Sequence, residues 1–159
     1  MPGYAGLGTL LRHVHELMDG AITGIYADWG LPEYRPRFSP VVRALLTEGP
    51  LAIRDLASAV GVTHSAASQT VEQMRRAGFV TLSKGADARR RIVHLTDKAR
   101  TALPAIEAEW EAAERAVQAL DAELPMSLEE VLRAAVEALE RQGFRDRVEA
   151  AIPDERRPR

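Results

Sequence analysis

Residues 41–96 run VVRALLTEGPLAIRDLASAVGVTHSAASQTVEQMRRAGFVTLSKGADARRRIVHLT, and the punctuation of this stretch decides the fold. One helix closes at Thr47-Glu48-Gly49. A short helix is expected from Ile53 to Val60, ended by Gly61. The Thr63 side-chain oxygen suits an N-cap, so a longer helix opens there and ends at Gly78. Two short β-type runs follow, Phe79 to Leu82 and Arg91 to Leu95, with a cation-rich loop between them. Two small helices joined by a Gly-containing turn put the second into a DNA major groove, and a hairpin directly after them is a wing. The stretch reads as a winged helix-turn-helix.

Helical spacing extends the pattern on both sides. Leu7, Leu10, Leu11, Val14, Leu17, Met18, Ala21, Ile22 and Ile25 form one apolar stripe that stops at Trp29-Gly30-Leu31-Pro32. Glu33 to Ser39 is a loop, with Ser39 as N-cap and Pro40 at the first helical position of the next helix. That helix points Val41, Val42, Leu45 and Leu46 into a core. In the two small helices the inward residues are Ile53, Leu56, Ala57 and Val60, then Ala67, Thr70, Val71 and Met74.

After the wing, Thr96 caps a helix carried by Leu103, Ile106, Trp110, Ala113, Val117 and Leu120, with Pro104 inside it. Leu124-Pro125-Met126 breaks the chain, and Ser127 with Glu130 is a capping box for a helix reaching about Gly143. Phe144 to Ile152 is a further short helix. The expected fold is mainly α with a small β-wing, the winged helix-turn-helix flanked by N- and C-terminal dimerisation helices. The expected boundaries are 1–38 for the first dimerisation helix and loop, 39–96 for the winged segment, 97–152 for the last helices and 153–159 for a flexible tail. The outer helices are too apolar for a small winged domain to cover, and a two-fold homodimer is the economical way to bury them.

Composition narrows the function. The 159 residues carry a net charge of only −2, so the chain is not generally basic. From Gly61 to Arg100, eight cations face three anions, which leaves +5 there and −7 in the remainder. Positive charge is concentrated at the reading head, as a duplex binder requires. There is no cysteine, which excludes disulfides and thiolate metal sites. No apolar run approaches the ~20 residues that span a bilayer. The beginning of the chain lacks a basic-then-apolar signal pattern, so a cytoplasmic protein is expected.

The candidate contacts follow. The recognition helix presents Thr63, His64, Ser65, Ser68, Gln69 and Gln73, short hydrogen-bonding groups suited to phosphates and base edges. In the wing Lys84, Arg89, Arg90 and Arg91 sit on or beside the hairpin tip, and Arg89 is the expected minor-groove residue. Asp87, two residues earlier, can brace the turn or hold that guanidinium. Arg90 and Arg91 alternate faces in a regular strand, so both cannot point at DNA. Catalysis and metal binding have no support. His13 and His15 lie two apart on different helix faces, and neither a His-Glu-x-x-His motif nor a Ser-His-Asp arrangement stands out. Gly3, Gly6 and Gly8 follow no strand, so they do not make a nucleotide loop. No enzyme activity and no cofactor is expected.

Asp87-Ala88-Arg89 followed by Leu95-Thr96-Asp97-Lys98 resembles the "D-x-R … L-T-x-x-G" wing signature of the MarR family, multiple antibiotic resistance regulators. Residues 56–63 and 74–80 are similar to that family too, and the resemblance covers roughly Leu7 to Leu139. The chain departs from the pattern at Ala99, where Gly is frequent, and at Gln69, where Arg is common. Thr70 stands at a usually apolar position, and Glu72 is acidic. The resemblance implies a homodimeric transcriptional regulator on palindromic operator DNA, often a repressor, often released by a small aromatic or phenolic ligand. Such a ligand would sit between the dimerisation helices and the reading head, where His13, Leu17, Tyr26, Trp29, Tyr34, Phe38 and Trp110 are the candidate lining. The alternative is a winged-helix protein–protein adaptor with weak or lost DNA binding, motivated by the near-neutral recognition helix with Gln69 and Glu72.

Overall fold

Helix stops in this chain are written in glycine. A computed structural model describes residues 6–84 and 90–153, and its first four α-helices are each followed within two residues by a glycine with positive φ. Gly61 (φ +73°) closes α3 (Ile53–Val60), and Gly78 (φ +80°) follows α4 (His64–Arg76). At Gly78 the N–H donates to Arg75 O at 3.1 Å, and the next N–H, of Phe79, reaches back to Met74 O at 2.9 Å. This is the Schellman closure, and the left-handed residue it requires strains any side chain with a Cβ. The tight stops aim α3 and α4 at their angle and deliver Phe79 straight into the wing.

The remaining elements are α1 (Leu7–Asp28), α2 (Ser39–Glu48), β1 (Leu51–Ala52), β2 (Val80–Lys84), β3 (Arg91–Leu95), α5 (Asp97–Glu123), α6 (Leu128–Arg141) and α7 (Phe144–Ala151). The strands form an antiparallel sheet in the order β1-β3-β2. In register, Val80 opposes Leu95, Leu82 opposes Val93, and Lys84 opposes Arg91. The mainly α chain with a small β-wing is therefore the observed fold class.

Some local expectations are corrected. Ser39 is the first residue of α2 rather than its N-cap. A 3-10 turn, Pro36–Phe38, runs directly into the helix, and the Ser39 hydroxyl pairs with Tyr34 Oη at 3.2 Å. Leu46 is exposed, because the apolar face of α2 is carried by Val41, Val42 and Leu45. The first wing strand runs Val80–Lys84, and β1 is an element that the sequence did not announce. Two residues are too few to show alternation, and β1 exists by pairing Leu51 with Val93 and Ala52 with Ile92.

The fold divides into two compact units, Met1–Glu111 and Ala112–Arg159. The first has a closed core. Tyr26, Tyr34, Phe38 and Phe79 form an aromatic cluster, with ring centroids 4.5 Å apart for Tyr26–Tyr34 and 5.2 Å for Tyr34–Phe79. Leu56, Val71, Met74, Val93 and Ile106 complete it. Edge-to-face rings of this kind add about 0.5–1.5 kcal/mol beyond the area they bury.

The second unit is built by capping more than by burial. Ser127 Oγ accepts the Glu130 N–H at 3.4 Å and Asp121 Oδ1 accepts the Leu128 N–H at 2.9 Å, so α6 starts on two side-chain caps. The Ser127 hydroxyl first, and the Leu128 N–H second, hold the Asp121 carboxyl below its usual range. At the other end the Arg147 guanidinium donates to Ala138 O at 2.9 Å and Gln142 O at 3.1 Å. No residue of α6 or α7 is buried.

Candidate nucleic-acid interface

Helix α4 separates its functions by face. Ala67, Val71 and Met74, at i, i+4 and i+7, are buried. His64, Ser65 and Gln69 are exposed on the other side, and Ser68 is half-buried. The start of α4 is fixed by Thr63, whose Oγ1 accepts the Ala66 N–H at 3.2 Å. The exposed His64 and Ser65 thus sit on a defined first turn. Gln73 differs from the other candidates. Its Oε1 is buried without a hydrogen-bond partner, so this side chain turns toward the protein.

Further along α4, Glu72 binds two guanidiniums. Arg75 meets it through Nε and Nη2, both at 2.9 Å, and Arg76 through Nε at 2.9 Å. Arg75 chiefly, then Arg76, holds the Glu72 carboxyl at about 2. The same bond raises the Arg75 guanidinium. Two of the helix's cations therefore share one anion.

In the wing, Lys84 and Arg91 lie opposite each other in register, and both are exposed. Like charges facing across a strand pair cost stability unless a counter-charge joins them, so this end of the hairpin is suited to a polyanion. Arg90 is also exposed. Asp87 and Arg89 lie outside the described residues. On the outer face, Ser83 Oγ and His94 Nε2 are 2.8 Å apart and brace the wing.

The seven aromatic-pocket candidates do not come together as a lining. Tyr26, Tyr34 and Phe38 belong to the core cluster. Burial pushes the Tyr34 hydroxyl up to about 12, and burial with the Glu109 contact pushes Tyr26 higher still. His13, Leu17 and Trp29 are exposed. Trp110 is half-buried beneath Arg43, whose guanidinium lies 4.1 Å from its ring centroid.

Sequence reasoning passed over Glu109, a buried carboxylate that accepts the Tyr26 hydroxyl. Its position three residues after Ile106 was the available signal. It also passed over Arg35 and Arg37. With His15, Asp19, Gly20 and Thr23 they line a cleft of about 470 Å³. Among the described residues no three His, Cys, Asp or Glu side chains could hold a metal ion, and no helix is long and apolar enough to cross a membrane.

Residues 39–91 match the MarR family model. Over this winged segment the chain is similar to the MarR family. Similar solved structures span nearly the whole chain. A MarR family transcriptional regulator from Silicibacter pomeroyi is 25% identical, with TM-score 0.59, covering 85% of this chain and 96% of its own. The M. tuberculosis regulator MOSR, solved in complex with DNA, is 24% identical, with TM-score 0.61, covering 85% and 93%. Bordetella bronchiseptica BpsR, whose DNA binding is regulated by 6-hydroxynicotinic acid, is 20% identical, with TM-score 0.58, covering 89% and 95%. Comparison with curated protein sequences gave no match.

Proposed function

We propose that this chain is a MarR-family regulator, acting in the cytoplasm as a homodimer that reads a palindromic operator and represses from it. The observation that carries the reading is the division of α4: a buried apolar face anchors the helix, and the opposite, Thr63-capped face offers His64, Ser65, Ser68 and Gln69 beside a cationic wing. Two such helices, one per subunit, enter successive major grooves about 34 Å apart, and the wings take the flanking minor grooves. Arg89 is the proposed inserted residue, Asp87 its support, and Lys84, Arg90 and Arg91 add phosphate contacts. The exposed apolar rows of α1 and α6 support a second copy as their cover.

A small anionic, aromatic effector fits the same reading. The Arg35–Arg37 cleft has the volume of an ordinary ligand site, and two guanidiniums favour a carboxylate. Such a ligand releases DNA only if it binds one spacing of the two heads better than the other. BpsR, regulated by a hydroxylated carboxylic acid, supports the ligand class.

Selection of genomic fragments with the purified protein, followed by footprinting across 50–200 mM salt, tests the reading. A symmetric footprint is expected, with affinity falling steeply as salt rises through counterion release. Failure to retain any duplex at low salt favours the protein–protein adaptor, for which the Glu72 clamp on Arg75 and Arg76 is the supporting observation.

A further inference from the structure

The C-terminal end of the recognition helix is held by side chains from another element. After the Schellman closure the carbonyls of Ala77 and Gly78 point beyond α4. Lys98 Nζ donates to Ala77 O at 2.9 Å, and Thr96 Oγ1 donates to Gly78 O at 2.6 Å. Lys98 lies in the first turn of α5, and Thr96 precedes that helix and accepts the Ala99 N–H at 3.2 Å. The Lys98 ammonium also lies 3.2 Å from Glu33 Oε2, in the segment joining α1 to α2, and 4.8 Å from the centroid of the Phe79 ring. Its stem covers Gly78, where a Cβ would sit 3.5 Å from Lys98 Cδ. One side chain thus joins the end of α4, the first turn of α5, the α1–α2 segment and the root of the wing. A cation at a helix C-terminus also faces the negative end of its dipole.

We propose that Lys98 is a positioning residue for DNA recognition, a cap supplied by α5 that sets the aim of α4 and ties it to Glu33 without itself touching DNA. The inference rests on the DNA-binding reading above. His64 and Ser65 lie at the opposite end of the helix, about 18 Å away at 1.5 Å per residue. A small tilt at the held end therefore moves the reading end most.

The test uses the full chain and the duplex recovered by genomic selection, titrated at several salt concentrations with wild type, Lys98→Met, Lys98→Arg and Glu33→Gln. Lys98→Met is expected to weaken binding about five- to tenfold at every salt concentration, within the range of indirect coupling through a contact network. The slope of log affinity against log salt stays unchanged. Lys98→Arg restores most of the loss, because a guanidinium can still donate to Ala77 O. Amide exchange speeds up at residues 77–79 and not at 64–70.

A slope that falls by about one in Lys98→Met would show a direct phosphate contact and overturn the proposal. Unchanged affinity in a folded Lys98→Met would overturn it as well. Glu33→Gln keeps the lysine and is expected to weaken binding two- to threefold at constant slope. It serves as the deciding variant if Lys98→Met does not fold, and unchanged binding by it then counts against the tie. Wild-type protein that binds no duplex overturns the DNA reading itself, and this is seen before any variant is compared.

Discussion

Helices α4 and α6 are nearly equal in length, and both have an apolar row at helical spacing, yet their rows meet different fates. In α4 the row is Ala67, Val71 and Met74, and all three are buried against the core. In α6 Val131, Leu132, Val136 and Leu139 are all exposed. Helix α1 behaves like α6: only Tyr26 of its 22 residues is buried, while Leu7, Leu10, Leu11 and Leu17 are open. An amphipathic stripe is a demand for a partner surface. The winged segment meets that demand within one chain, and the outer helices leave it unmet. Contiguous exposed apolar surface of this kind marks an interaction site.

The sharpest break of the comparison is a core substitution. Phe79→Ala removes a ring that is 0% exposed and touches Tyr34 and Phe38. It is expected to cost about 3–5 kcal/mol, read from urea unfolding. The next largest effect belongs to α6. If a second copy covers it, Leu132→Glu buries an unpaired charge, and the protein should sediment as a monomer. DNA affinity should then drop by about 10²-fold or more, because bivalency is lost. A dimer that persists through this change would remove α6 from the interface. Below that stands Arg89→Ala, expected to weaken operator binding by about 1–3 kcal/mol and to lower the salt slope by about one. Unchanged affinity in a gel-shift titration, with the fold intact, would reject its role.

The same contrast explains what the sequence could reveal. Gly61, Thr63 and Gly78 are local instructions, each acting on its own backbone, so the helix-turn-helix could be read from neighbouring residues alone. Strand β1 could not, because two residues acquire their structure only from Val93 and Ile92 forty positions away. Leu46 failed for a related reason: its spacing fits the α2 stripe, but tertiary packing decides which members of a stripe are covered, and Leu46 stays exposed at its edge. The aromatics posed a harder question. Composition shows Tyr26, Tyr34 and Phe38, but not whether they face a cavity or one another, and they face one another. Glu109 and Lys98 act across gaps of 83 and 65 residues, to Tyr26 and Glu33, which no local pattern encodes.

The smallest expected effect concerns the balance of charge on α4 itself. Glu72 has its folded pKa depressed to about 2 from an ordinary 4.5, by Arg75 first and Arg76 second. The sign follows from that direction. A depressed carboxyl contributes its stabilisation fully above its unfolded value and loses it as pH falls through the folded one. The clamp should therefore hold from neutral pH to about 3 and open only near 2, which a carboxyl-carbon NMR titration of Glu72 would follow. A midpoint near the ordinary value would mean that the clamp does not persist in solution. Because the pair is exposed and on one helix, stability should scarcely change in Glu72→Gln. DNA binding should respond instead. Freeing two guanidiniums from their shared anion is expected to tighten binding two- to threefold at low salt and to steepen the salt slope. If both stay constant, Arg75 and Arg76 face away from the duplex. The phosphate contacts would then rest on the wing, which the buried row of α4 supports through the shared core.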